Sequence, residues 1–300
     1  MDRRVIVEKP RSHDCLLQGA IMLNKGLIAS TLILFLLGSR AMADGNKQPF
    51  AGPIIDAHVH YSQTSWGEYP IRKVMEKFDK GGVEKALVSS TPDDGTLGLH
   101  RHSADRIIKF LRPYRTRSDM ANWYGDKDVL EYVQARLAAN DYSGFGEFHM
   151  YDPLAVTTPE MKILLELATK KGLILHSHSG ADVIEALAKA APGLTILWAH
   201  AGLSSPPVEI AEIFKKFPQV YADMSFRGGD VLDAKGIKAD WLELFESYPE
   251  RIMLGSDTYI PEQWSDYQGI IDRHRRWLGH LPLPLAEMIA SGNALKMLKR

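Results

Sequence analysis

Cysteine is almost missing from this chain. One residue of 300, Cys15, carries a thiol, so no internal disulfide can form and a cysteine metal cage is excluded. Net charge is nearly absent as well. The 36 basic residues face 37 acidic ones, which leaves no bulk attraction to nucleic acid. Long apolar runs are scarce: residues 27–38, LIASTLILFLLG, form an uncharged run of 12, short of the about 20 that a membrane-spanning helix needs. No glycine-rich phosphate loop follows the first apolar strand, so a doubly wound nucleotide-binding sheet lacks its usual mark.

The run at 27–38 has the form of an export signal. Lys25 precedes it, and Ala41-Met42-Ala43 follows in the small-x-small pattern of a signal peptidase site. Cleavage after Ala43 is expected, giving a periplasmic or secreted chain with no stable membrane span. Met22 would start a signal of ordinary length, which makes residues 1–21 an upstream extension. Residues 1–43 hold six basic and three acidic residues, and all the cysteine. The remainder carries 30 basic and 34 acidic residues. No nucleic-acid partner is expected, and nothing in the sequence sets the oligomeric state.

Residues 44–300 read as one domain. Eight short apolar runs recur: PIIDAHVH, VEKALVSST, RIIKFLRP, GFGEFHM, GLILHSHS, LTILWAHAG, QVYADMSF and RIMLGSDT. Each is rich in Ile, Val, Leu or Phe and bounded by Gly, Pro or charge, as buried parallel strands are. Helical patterns lie between them. In DKDVLEYVQARLAAN, Asp128 is placed to cap a helix; TPEMKILLELATKKG opens on Thr158-Pro159 and stops at Gly172. Eight such units predict a (β/α)8 TIM barrel, with the C-terminal helix packed outside.

A barrel of this kind gathers its chemistry at the C-terminal strand ends. His58 and His60 end the first strand, Glu147 and His149 the fourth, His176 and His178 the fifth, His200 the sixth and Asp257 the eighth. Side chains alternate along a strand, so His58 and His60 face one mouth together. Asp56 is expected to face away, supporting a ligand or closing a strand-end hydrogen bond. Nitrogen and carboxylate donors meeting at one point suit Zn, Mn or Fe. A lone histidine such as His200 is more often a hydrogen-bonded core residue; the joint placement of several is what points to a metal. His13, His274 and His280 lie away from strand ends and read as surface residues. Arg227 near the end of the seventh strand could grip a carboxylate or phosphate. The loop at 115–128 could form a lid, and Trp66, Trp123, Tyr124 and Tyr259 could wall a pocket or simply pack.

The stretches IDAHVH, GEF, LILHSH, LWAHAG, MLGSDTYIP and SGNALKML together resemble the amidohydrolase superfamily over about residues 54–300, most nearly its amidohydrolase-2 branch of metal-dependent hydrolases and non-hydrolytic decarboxylases. The resemblance implies metal ligation by His58, His60, His176 and Asp257. It implies a ligand or water-assisting role for His200, and proton transfer by Asp257. GFGEFHMYD is also similar to the fourth-strand segment of TatD-like nucleases and hydrolases, which makes Glu147 a candidate bridge between two metals. No fourth-strand lysine is present to be carbamylated, so the metal count, one or two per chain, stays open. His178 and His149 could replace His176 or hold substrate. The expected function is hydrolysis of an amide, ester, lactone or phosphoester of a small molecule by a metal-activated water. Decarboxylation of a small carboxylic acid is the alternative, and a non-catalytic exported binding protein is a third reading that the full ligand set disfavours.

Overall fold

A computed structural model describes residues 48–299. The export segment, with His13 and Cys15, lies outside the described residues. Strand and helix alternate through eight units. The strands are β1 (Ile54–Val59), β2 (Val83–Val88), β3 (Ile107–Leu111), β4 (Gly144–His149), β5 (Ile174–His178), β6 (Ile196–Trp198), β7 (Val220–Asp223) and β8 (Ile252–Met253). A helix follows each: α1 (Ile71–Gly81), α2 (Asp94–His102), α3 (Lys127–Ala139), α4 (Pro159–Lys171), α5 (Ala181–Ala190), α6 (Pro207–Lys216), α7 (Ala239–Ser247) and α8 (Tyr267–Leu278).

Local chemistry sets the helix ends. Thr158 accepts from Met161 N and Pro159 fills the first turn of α4, while Gly172 ends it at φ 65°, a left-handed position where glycine meets no Cβ penalty. The cap of α3 is Asp126, not Asp128. Asp126 is extended and its carboxylate accepts from Asp128 N and Val129 N, whereas Asp128 already lies in the first turn.

The strands pair in chain order and in parallel from β1 through β8. The sheet then closes on itself: Ala57 N donates to Leu254 O, Asp257 N to His58 O and His60 N to Thr258 O, at 2.7–2.9 Å, and Val59 bridges Thr258 in parallel. Every residue of β1 is buried, as befits a strand with side chains on one face and helices on the other. Ile55, Ala57, Leu87, Phe110, Leu197, Tyr221 and Met253 fill the inside of this barrel. Ala294 and Met297 join that inner cluster. The C-terminal helix (Asn293–Met297) therefore closes the barrel floor instead of packing outside, and Asn293 Nδ2 anchors it to the carbonyls of Pro249 and Ile252. A second apolar layer, from Phe78 through Trp198 to Trp277, separates strands from helices. Among the described residues no helix is long and apolar enough to cross a membrane.

Candidate metal centre

The polar residues sit at the opposite end of the barrel from that floor. A regular β1 would turn Asp56, His58 and His60 to one face. Its register against β2 shifts between Asp56 and Val59, with Ala57 in the inner cluster and Val59 in the outer one. The irregularity brings His58 inward beside His60 and leaves Asp56 facing out. There Asp56 accepts from Ser256 N at 2.8 Å, Tyr267 Oη at 2.8 Å and His58 N at 3.2 Å. It fixes the mouth by joining β1 to the segment after β8 and to α8.

Four predicted residues converge. His58 Nε2 lies 3.0 Å from His60 Nε2, 3.3 Å from Asp257 Oδ1 and 3.4 Å from Glu147 Oε1. His60 Nε2 lies 3.1 Å from Asp257 Oδ1 and 3.2 Å from Glu147 Oε2. These four form a buried group whose donor atoms could hold a metal ion. A second convergence adjoins it through Glu147: His178 Nδ1 is 3.0 Å from Glu147 Oε1, and His200 Nε2 is 3.1 Å from His178 Nδ1 and 3.5 Å from Glu147 Oε1. His176 does not reach either point. Its Nε2 is directed to Asp223 Oδ2 at 3.3 Å, in a group with the far edge of the His58 ring. Of the two histidines on β5, the second faces Glu147.

The partners of the outer ring nitrogens decide what the inner ones present. His58 Nδ1 is 3.2 Å from Asp223 Oδ2, an obligate acceptor when ionised. His60 Nδ1 donates to the carbonyl of Ser89. Ser225 Oγ gives its hydrogen to Asp223 Oδ1 and so accepts from His200 Nδ1 at 2.8 Å. All three rings thus carry hydrogen on Nδ1 and aim an Nε2 lone pair at the carboxylates. Lone pairs 3.0 Å apart, backed by carboxylates, need a proton or a cation between them. The carboxylates of Glu147, Asp223 and Asp257 are all buried around these rings, and Arg112 is the guanidinium paired with one of them.

The ionisation pattern follows from this field. Burial pushes the His58 pKa down, but Asp257, Asp223 and Glu147 push it further up, and it ends well above the ordinary histidine value. Burial raises Glu147 and Asp223, yet the positive charge at His58 and the imidazole hydrogen bonds hold both well below the usual carboxylate range. His176 falls to about 4 and His149 to about 3, in each case chiefly through burial.

A cavity of about 460 Å³ opens above the group, and His60, Glu147, His149, His178 and Asp257 reach its wall. Arg112, Arg115 and Arg117 line one side, with Leu203, Phe226 and Tyr259 elsewhere around it. Arg227 is not there. It is buried, donates to the carbonyls of His200, Ala201 and Ser205 at 3.0–3.2 Å and from Nε to Asp230 Oδ2 at 2.6 Å, and stacks over Trp241, so four of its five guanidinium hydrogens are taken within the protein and three of them hold the loop after β6. Arg112 is the arginine at the centre: Nη2 donates to Glu147 Oε2 at 2.7 Å and Nε to Glu147 O at 3.1 Å. Of the four candidate wall aromatics, Tyr259 lines the cavity; Trp123 packs on Phe148 and Trp66 on Tyr61. His274 is buried, with Nε2 donating to Gly255 O and Nδ1 accepting from Trp277 Nε1, and is no surface residue. Sequence reasoning passed over Asp223 and Arg112. Both end barrel strands, the same signal that singled out the histidines.

Similarities to known proteins agree with this architecture. A structure from Acinetobacter baumannii described as a probable 2-pyrone-4,6-dicarboxylic acid hydrolase, with citric acid bound, aligns over 83% of this chain and 100% of its own, at 13% identity and TM-score 0.56. An amidohydrolase from Burkholderia multivorans with bound zinc aligns over 83% and 99%, at 14% identity and TM-score 0.56. A 2,6-dihydroxybenzoate decarboxylase from Rhizobium aligns over 82% and 98%, at 12% identity and TM-score 0.53. No curated protein matches the chain. Residues 126–300, which carry the fourth through eighth strands with Glu147, His178, His200 and Asp257, match the family model described as Amidohydrolase, and the chain belongs to that amidohydrolase family.

Proposed function

We propose that the chain is a metal-dependent hydrolase of a small molecule. One observation carries the reading: His58, His60 and His200 each have Nδ1 tied to an acceptor, so three Nε2 lone pairs meet Glu147 and Asp257 at one buried place. His58, His60, Glu147 and Asp257 would hold one divalent ion, zinc in the first instance, and Glu147, His178 and His200 would hold a second. Such an ion supplies Lewis acidity and lowers the pKa of a bound water from 15.7 to about 7. Asp257 faces the cavity and is placed to take a proton from water and return it to a leaving group. Arg112 fixes the Glu147 carboxylate from behind. His176 and Asp223 hold the His58 ring.

The same residues would serve decarboxylation. The basic wall of Arg112, Arg115 and Arg117 suits a carboxylated substrate, and the aligned structures include both a decarboxylase and one with citric acid bound. Carbon dioxide release from a carboxylated substrate panel separates the two reactions. The test of the common core is metal content per chain beside turnover. His58→Ala is expected to emerge folded, metal-poor and inactive, because an open site of three or four ligands has no spare donor. Wild-type protein that takes up no divalent metal, or His58→Ala with full turnover, refutes the reading.

We also propose, from the sequence, that the chain is exported and cleaved after Ala43. N-terminal sequencing of the exported form is expected to start at Asp44; an intact residue 1 in cytoplasmic material overturns it.

A further inference from the structure

One ring at this mouth has no part in the reading above. His149 ends β4, lines the cavity and stacks on His178 with ring centroids 4.3 Å apart. Its own peptide N–H donates to Tyr114 Oη at 2.7 Å, and the same oxygen lies 3.2 Å from His149 Nδ1. Tyr114 is fully buried, and its hydroxyl has a single hydrogen to place. The hydroxyl oxygen accepts the peptide hydrogen, and Nδ1 is the one acceptor among its described partners for the hydroxyl's own hydrogen. A hydrogen on Nδ1 instead would leave the buried hydroxyl hydrogen without an acceptor among its described partners, which buried polar groups seldom tolerate. Nδ1 is therefore the acceptor, and the ring hydrogen sits on Nε2. No described residue accepts from that Nε2, and the ring stands on the cavity wall. Arg112, Arg115 and Arg117 line the same space. Arg115 is tied to Asp119 and Arg112 to Glu147, and the three cations together make this wall favour an anion.

We propose that His149 is a neutral hydrogen-bond donor to the substrate, its Nε2–H directed at an oxygen of an anionic group, with Tyr114 as the positioning residue that selects this tautomer. This assignment separates His149 from the neighbouring donors Glu147 and His178, with which it could otherwise form a metal-holding group: its one free nitrogen carries hydrogen, and its lone pair is spent on Tyr114. The inference rests on the metal-dependent reading for its substrate, but its geometry belongs to the protein alone.

The experiment uses the full chain, metal-free and zinc-loaded, with ¹⁵N-labelled histidine rings and inorganic phosphate as the anionic probe. His149 is assigned by the signals lost in His149→Gln. Wild type is expected to show the Nε2–H tautomer in both forms, and Tyr114→Phe to mix the tautomers. Phosphate is expected to move the His149 Nε2 signal. Its Kd should rise about tenfold in His149→Asn, whose amide reaches only the Nδ1 position, as loss of one hydrogen bond to a charged group requires. In His149→Gln, whose amide nitrogen falls near Nε2, Kd should stay within about twofold of wild type, and zinc per chain should be unchanged in both variants. An Nδ1–H tautomer in wild type, equal phosphate affinity in all variants, phosphate binding to neither form, or zinc lost with His149 overturns the assignment. Wild type that takes up no zinc sinks the hydrolase reading instead, while the tautomer and the metal-free phosphate titration still judge His149.

Discussion

Asp223 carries more of the site than its position in the sequence advertises. One oxygen takes His58 Nδ1 and His176 Nε2, and the other takes Ser225 Oγ, Ser225 N and His200 N. It touches no proposed ion, yet it sets the orientation of two proposed ligands and raises their basicity. Asp223→Asn is expected to keep the fold and lose about 10- to 100-fold in metal affinity, read by competition with a chromophoric chelator; affinity equal to wild type would remove Asp223 from the machinery. The residue was legible only as a polar strand end. Its importance depends on which rings lie beside it, and those come from β1, β5 and the turn after β6.

At the scale of elements, two features illustrate how sequence and packing divide the work. Gly146 in β4 has φ 120°, and a Cβ there would fall 2.0 Å from His176 O; a side chain is incompatible with the close β4–β5 approach that sets Glu147 beside His178. The N-terminus of α2 holds a buried acid, Asp93, that makes no cap hydrogen bond to its own helix. Tyr142 donates to its Oδ2, and its Oδ1 has no partner. Burial raises the Asp93 pKa to about 6, with Tyr142, Arg136 and Lys109 opposing and Asp94 assisting. A carboxyl whose folded pKa lies above its unfolded value favours the fold at low pH, and that contribution disappears as pH rises through the folded value. Stability is therefore expected to fall between about pH 4 and pH 6, by on the order of 3 kcal/mol if unopposed. Asp93→Asn should flatten that part of the profile and unfold later than wild type at pH 8, measured by urea denaturation at several pH values. A variant with the wild-type pH slope would assign the slope elsewhere.

For the molecule as a whole, barrel closure and metal binding are linked. β1 and the segment after β8 meet through backbone bonds at His58, His60 and Asp257, so an ion held by these residues would clamp the two ends of the sheet. A ligand that binds only the folded chain at 100 times its Kd stabilises by about 2.7 kcal/mol, which for a domain of this size moves Tm by roughly 5 °C. Zinc-loaded protein is expected to melt about that much above chelator-treated protein in calorimetry. Identical melting curves would show that no ion binds the native chain with useful affinity.

The amino-acid order by itself determined the (β/α)8 barrel, because strand and helix periods, caps and breakers are local and repeat eight times. It also marked which strand ends bring residue types able to ligate a metal: His58, His60, Glu147, His178, His200 and Asp257 were all legible from their places after apolar runs. Tertiary structure alone decided how those residues share the work. A register shift in β1, not simple alternation, separates Asp56 from His58. The pairing of β4 with β5 sends His178 to Glu147 and leaves His176 to Asp223. Loop carbonyls from the turn after β6 consume Arg227, while β3 supplies Arg112 in its place. Residue type and spacing say what a side chain can donate or accept. Which partner it meets depends on strand register and barrel closure, which join residues 200 and 211 positions apart and leave no local mark in the sequence.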